Sequence, residues 1–149
     1  MKSANRAWPL SSILLHLVGA GLLFMGLYFI FLRPPLLPED LRYMGASQTQ
    51  LDSAAPGLTV WLTQVFRVMG GYVSATGILT IAVAATAFRS HNRGVAVAAA
   101  TAGAASIGWM TIVNFMINSD FKWVLLGAAI LWACSIVLFW LEGARPRDV

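Results

Sequence analysis

The sequence predicts an all-α integral membrane protein, an antiparallel four-helix bundle with both termini in the cytoplasm and a long first loop outside. Hydrophobic residues make up 58% of the 149 residues and charged residues only 11%, whereas charged residues are about 25% of an ordinary soluble domain. The mean hydropathy is +0.73. Four apolar runs, each near the roughly 20 residues that cross the hydrocarbon core, lie at about 10–32, 57–88, 94–117 and 123–141. They use almost the whole chain, so we expect a single domain, residues 1–149.

Charge and cysteine content exclude two classes of protein. The formal net charge is +4, but the cations lie in short clusters between apolar runs, so we expect no binding of nucleic acid. Cys134 is the only cysteine, which excludes an intrachain disulfide and a cysteine-rich metal site. It lies within the last apolar run, where a thiol behaves as a small hydrophobic side chain.

The first apolar run follows Trp8 and Pro9, an interfacial aromatic residue and a proline suited to start a helix. It is longer than the ~7–15 apolar residues of a signal peptide, so we expect a retained span. His16 shares a helical face with Gly19 and Gly26, which turns its imidazole toward other helices. A hydrogen bond between helices and a contact with a ligand such as haem both fit this position.

The connection from Arg33 to Pro56 is the longest loop in the sequence. Loops of this length are uncommon in compact domains unless they are functional or folded onto the protein. Segments 39–45 and 47–52 each have the composition of a short helical turn, and Gly45 would stop the first of them. We therefore expect the loop to lie over the outer end of the bundle.

The second run carries Arg67, the one permanent cation inside an apolar stretch. Ionisable groups in spans are costly and usually face a partner or a water-filled cavity. We predict a polar site at the outer membrane boundary that contains Arg67, Glu39, Asp40, Asn114 and Asp120. Such a site fits either binding of an anion or polar headgroup beneath the loop, or a structural ion pair that fastens the loop. Snorkelling of the guanidinium to lipid phosphates is a third interpretation.

Small residues at helical spacing predict close contact between the spans. The third run is rich in alanine and glycine. In the second and third runs, the residues predicted to allow close packing are Gly70, Gly71, Ser74, Gly77, Gly103 and Gly108. The fourth run, from Trp123 to about Leu141, is followed by a polar tail.

The distribution of lysine and arginine predicts the orientation of the spans. One side of the membrane receives Lys2, Arg6, Arg89, Arg93, Arg145 and Arg147. The other side receives Arg33, Arg42 and Lys122, with Arg67 at its edge. Because the side richer in these cations faces the cytoplasm, both termini are predicted to lie inside and the long loop outside.

Two segments carry a resemblance to a known family: Pro38–Gly45 in the first loop, and Arg67–Gly77, whose Arg-x-x-Gly-Gly-x(5)-Gly pattern opens the second span. Together with the four spans, they resemble the DoxX-like group of small bacterial membrane proteins. This resemblance implies a multi-pass four-helix bundle in the cytoplasmic (inner) membrane of a bacterium. Some members of that group are linked to quinone-dependent oxidation as accessory membrane subunits, but no residue here is assigned to a quinone site.

The leading functional prediction is a non-enzymatic one: a small accessory or scaffold protein that binds lipid or another hydrophobic ligand between its helices. Membrane lipids are the expected partners, together with a larger membrane complex or a second copy of the chain. The alternatives are a redox-linked subunit that holds a quinone or haem, and a small transporter or channel. The sequence has no Ser-His-Asp arrangement of plausible geometry and no HExxH or CxxC motif, so no catalytic residue and no metal ligand is assigned.

Overall fold

The structure, a computed structural model, describes residues 8–144. These residues form six helices and no strand, when each π-helical segment is counted with the helix that it continues. The helices are α1 Leu10–Phe31, α2 Pro38–Met44, α3 Gln48–Ala54, α4 Leu58–Phe88, α5 Arg93–Met116 and α6 Lys122–Gly143. Four cations used for the orientation prediction, Lys2, Arg6, Arg145 and Arg147, lie outside the described residues.

Helices α1, α4, α5 and α6 are long and apolar enough to cross a membrane, which agrees with the four spans predicted from the sequence. Large apolar side chains remain exposed along them, such as Phe24 at 72% and Leu79 at 66%. A water-soluble domain rarely exposes so much contiguous apolar surface, whereas a bilayer surrounds it with acyl chains. The chain therefore has the character of a multi-pass, all-helical membrane protein.

The first loop contains the two predicted helical turns, α2 and α3. Helix α2 ends at Gly45, whose φ of 64° is left-handed and suits glycine. Helix α3 begins with a capping box: Gln50 N donates to Ser47 Oγ at 3.3 Å, and Ser47 N donates to Gln50 Oε1 at 2.8 Å. Helix α3 packs against α4, so the loop is folded onto the helices rather than extended away from them.

Helices α1 and α4 pack backbone against backbone. A Cβ atom built on Gly26 of α1 would lie 2.6 Å from Gly70 O, and one built on Gly77 of α4 would lie 2.7 Å from Gly19 O. Gly70, Ser74 and Gly77 are buried in this contact. The small face of α4 therefore meets Gly19 and Gly26 of α1, which lie seven residues apart, rather than the glycines of α5.

Helix α5 packs on α6 through Gly103 and Trp132. A Cβ atom on Gly103 would collide with the indole ring, whose Nε1 donates to Ala99 O at 3.2 Å. Toward the other end of the same helix pair, Thr111 Oγ1 donates to Leu125 O at 3.2 Å. Because hydrogen bonds between helices persist in lipid, these two bonds fix the position of α5 along α6.

Gly71 and Gly108 differ from the other predicted packing residues. A Cβ atom on Gly71 would meet no described atom within 4 Å, and one on Gly108 would meet only Gly103 O of its own helix, at 3.7 Å. A side chain at either position would therefore meet no second helix among residues 8–144.

Two π-helical segments interrupt the regular helices. Ala84–Phe88 ends α4, and Ala104–Gly108 lies in the middle of α5. Ala84 and Phe88 belong to the hydrophobic core together with Leu15, Ala96 and Phe139. Single π turns are rare and occur often at functional sites. The two π segments belong to α4 and α5, so the space between these helices is a candidate site.

Candidate functional site

Arg33 is the cation that holds the first loop in place. Its Nη2 atom lies 3.1 Å from Asp40 Oδ2, and its side chain is only 8% exposed. The guanidinium carbon also lies 3.5 Å from the centre of the Phe66 ring, well within the distance of a cation–π contact. Asp40 in turn accepts a hydrogen bond from Leu37 N at 2.9 Å, at the start of α2. Arg33 therefore ties α2 to the adjoining ends of α1 and α4, here named the loop end of the molecule.

Two further contacts join α2 to the turn between α5 and α6. Ser119 Oγ donates to Glu39 Oε1 at 3.1 Å, and both residues are almost fully buried. Arg42 Nη2 lies 2.8 Å from Asp120 Oδ1, in an ion pair that is exposed on both sides. The buried contact carries most of this attachment, because exposed ion pairs contribute little free energy.

The structure does not bring Arg67 and Asn114 into contact with the acids of the polar site predicted around Arg67. Arg67 is exposed and makes no ion pair or hydrogen bond with any of residues 8–144, while Asn114 Nδ2 donates to Met110 O of its own helix at 2.9 Å. The physical reason is helix rotation: Phe66 occupies the inward position of α4, against the ring of Phe29 and the cation of Arg33. The next residue along a helix points about 100° away. Of the five predicted site residues, only Glu39, Asp40 and Asp120 lie in the contacts of α2.

Glu142 organises the opposite end of the molecule, here named the terminal end. Its carboxylate accepts hydrogen bonds from Ser11 Oγ and from Ser11 N, the latter at 3.2 Å. Because the first N–H groups of a helix have no partner within it, the carboxylate caps α1. His91 Nε2 lies 3.8 Å from Glu142 Oε2, and its ring stacks on Phe139 with 4.9 Å between centroids. Sequence reasoning missed Glu142, since it follows the last apolar run and was assigned to the polar tail.

His16 contacts an aromatic ring instead of a polar group on another helix. It meets the Trp8 ring edge-on with 5.8 Å between centroids, and Trp8 lies beneath the Arg89 guanidinium at 4.6 Å. The His16 Nδ1 atom is buried and has no hydrogen-bond partner within the described part of the chain. The same part contains no group of three or more His, Cys, Asp or Glu residues that could hold a metal ion.

The cap that Glu142 provides is expected to stabilise α1. Glu142→Ala is expected to lower the free energy of unfolding by about 1–2 kcal/mol, because it leaves both buried Ser11 donors without an acceptor. Glu142→Gln, which keeps one acceptor oxygen, is expected to lose less. Thermal unfolding of the purified protein measures both, with the exposed Asp120→Ala as the control that should change little. Wild-type stability of Glu142→Ala would contradict the assignment of Glu142 as a cap.

A lateral groove of about 350 Å³ runs between α4 and α5, with α1 and the Trp132 ring as its floor. Two of its hydroxyl groups are bonded to their own helices: Thr76 Oγ1 donates to Tyr72 O at 2.9 Å, and Ser106 Oγ donates to Ala102 O at 2.7 Å. The remaining walls are mostly valine, leucine, isoleucine and alanine. The groove therefore presents an almost wholly apolar surface.

The groove exists because α4 and α5 contact each other chiefly where the π segment Ala84–Phe88 meets α5. Along the rest of their length, toward the loop end, α4 packs against α1 and α5 packs against α6. The small side chains of Ala98, Ala99 and Ala102 line the α5 wall and leave the space open. These alanines belong to the alanine-rich third run of the sequence. From the sequence, that run is expected to be a surface for close helix packing, not the wall of a groove.

Comparison of the chain with protein-family models, with curated proteins and with solved structures finds no match.

Proposed function

We propose that this protein is a small, non-enzymatic accessory or scaffold protein of a membrane, which binds an acyl chain or a similarly linear hydrophobic ligand in the groove between α4 and α5. In this proposal the four long helices form an antiparallel bundle in the cytoplasmic membrane of a bacterium, as in the DoxX-like group that the sequence resembles. The observation that carries it is an apolar groove that opens on the side of the molecule.

The size and chemistry of the groove favour an acyl chain. Its volume of about 350 Å³ lies at the small end of the roughly 300–1,000 Å³ of ligand pockets. No histidine, cysteine or charged side chain is among the described residues that line it, so the lining supplies neither an axial ligand for haem nor a partner for a charged solute. Leu79, Ala98 and Ala102 at its edges are exposed, which lets a lipid chain enter from the surrounding bilayer.

The π segment of α5 supports a role for the groove. Ser106 and Ile107 belong to the segment Ala104–Gly108 and also line the groove. A π turn widens the helix locally and replaces the regular backbone hydrogen bonds, and such turns are retained most often where function requires them. The wide turn lies beside the groove, where it shapes the wall that a ligand would contact.

The proposed orientation rests on the cations of the two ends. Arg89 and Arg93 flank the α4–α5 turn at the terminal end, and the sequence adds four more cations in the segments before α1 and after α6. The loop end has Arg33, Arg42 and Lys122. The larger number of cations at the terminal end supports an orientation with both termini in the cytoplasm.

Filling the groove tests the proposal. Ala102→Phe places a ring in the groove and is expected to reduce the co-purified lipid by one molecule per chain, as measured by native mass spectrometry. Ala133→Phe makes the same change on the exposed face of α6, outside the groove, and is the matched control. Equal lipid content in both variants would contradict the proposal. A Soret band or a bound quinone in the wild-type protein would instead support a redox-linked membrane subunit.

A further inference from the structure

A second cavity lies at the terminal end, between the start of α5 and the end of α6. Its volume is about 390 Å³, and its lining includes the cation Arg93, the imidazole of His91 and the aromatic rings of Phe139 and Trp140. The residues of the described chain that line it include no acid. The cavity therefore differs from the apolar groove: its lining includes a cation and aromatic rings, and the space between them is open to solvent.

Arg93 and its place at the start of α5 give this cavity a positive character. The Arg93 guanidinium lies 5.9 Å from the centre of the Trp140 ring, beside the opening. Arg93 is also the first residue of α5, where the helix dipole favours an anion; Asn92 Oδ1 caps this end by accepting from Val95 N at 3.2 Å. Glu142 lies 3.8 Å from His91 Nε2, but its carboxylate is directed at Ser11 and is not part of the cavity lining. The buried His91 Nε2 has no hydrogen-bond partner among residues 8–144.

The position of the cavity matches the headgroup region of a bilayer. It lies at the ends of two spans, and Trp140 at its edge is 43% exposed, as is typical of tryptophan at a membrane interface. Arginine binds phosphate oxygens in pairs, and aromatic rings cover the adjoining carbon atoms. A phosphate group at this level would contact Arg93.

We propose that this cavity binds a phosphate group, presented either by an anionic lipid headgroup or by a soluble phosphate compound. The proposal goes beyond the lipid-chain groove and does not depend on it, since the two cavities share no lining residue. Arg93 supplies the charge, and the cavity beside Gly143 supplies the space for the headgroup.

Two variants test the charge and the space separately. Arg93→Ala removes the cation, whereas Gly143→Leu adds bulk to the cavity wall without a change of charge; a Cβ atom there would lie 3.4 Å from His91 Cδ2. Arg42→Ala is the matched control, because it removes one exposed cation at the loop end. The full-length proteins are placed in phosphatidylcholine nanodiscs with a small fraction of phosphatidylglycerol. Native mass spectrometry then measures the retained phosphatidylglycerol, and thermal unfolding in pure phosphatidylcholine checks that each variant is folded.

The expected result is selective retention of phosphatidylglycerol by the wild type and by Arg42→Ala, and about tenfold weaker retention by Arg93→Ala and Gly143→Leu. Ala102→Phe, which fills the groove, should keep this selectivity, so failure of one proposal is distinguishable from failure of the other. Stabilisation by inorganic phosphate that is lost in Arg93→Ala, without lipid selectivity, would assign the cavity to a soluble phosphate compound. Equal losses in Arg42→Ala and Arg93→Ala, or no effect of either probe on the wild type, would overturn the proposal.

Discussion

Gly26→Ala is expected to cause the largest loss of stability of any single methyl addition in α1. The new Cβ atom would lie 2.5 Å from Ser74 N and 2.6 Å from Gly70 O. Both are backbone atoms of α4, so no side-chain rotation relieves the overlap, and the two helices must move apart. We expect a decrease of roughly 2–3 kcal/mol in the free energy of unfolding, measured by denaturant titration in detergent or by thermal unfolding.

Gly21→Ala is the matched control in the same helix, because a Cβ atom there would have no described atom within 4 Å. Gly71→Ala gives the corresponding control in α4. Both are expected to be neutral or slightly stabilising, since alanine is a better helix former than glycine. If Gly21→Ala and Gly26→Ala lost the same stability, the close crossing of α1 and α4 would be wrong.

Arg33→Leu is expected to release the first loop from the rest of the molecule. The substitution removes the ion pair to Asp40 and the cation–π contact with Phe66, in a place where the side chain is 8% exposed. Contacts of this kind contribute about 2 kcal/mol in all. Since cleavage follows the population of the opened form, digestion of the segment 34–57 by a broad-specificity protease should accelerate by roughly 30-fold, with fragment masses to locate the cuts.

Arg67→Leu is the control for this experiment, because it removes the same charge from an exposed position that has no partner within residues 8–144. It should leave the rate of loop cleavage unchanged and the spans intact. A faster cleavage in Arg67→Leu than in Arg33→Leu would show that the sequence-based assignment of the loop contact to Arg67 was the better one.

The four spans could be predicted from the sequence almost to the residue. The first was expected at about 10–32 and lies at Leu10–Phe31, and the third was expected at about 94–117 and lies at Arg93–Met116. This success has a local cause: the length of an apolar run and the polar or proline residues at its ends are properties of neighbouring residues. The two short helices were predicted for the same reason, from the composition of segments 39–45 and 47–52 and from Gly45 as the end of the first.

Which cation holds the loop could not be predicted, because it depends on the rotation of one helix against another. Phe66 and Arg67 are neighbours in the sequence, and the contact of α1 with Gly70, Ser74 and Gly77 turns Phe66 inward. Arg33 was overlooked because it ends a span and was counted only as an orientation signal. The prolines that follow it bend the chain back, and Arg33 Nη1 donates to Pro34 O at 2.8 Å.

The groove also could not be predicted from the sequence, because it is a space between α4 and α5, two helices that are in contact over only part of their length. Sequence shows that Ala98, Ala99 and Ala102 are small, but small residues accompany both tight contacts and open spaces. Only the placement of Trp132 beneath the groove decides between them. The indole fixes α5 on α6 at Gly103 and leaves the alanine surface of α5 lining the open groove beside α4.

The crossing at Gly19, Gly26 and Gly77 determines which parts of the molecule are able to shift. Helices that meet backbone to backbone have no side-chain layer to rearrange, so α1 and α4 must travel as one rigid unit. Any change in the width of the groove then comes from movement of α5, because the bonds from Ser11 to Glu142 and the contact of α1 with α6 hold α6 to the same unit. A ligand that widens the groove would therefore act on the bond from Trp132 Nε1 of α6 to Ala99 O of α5.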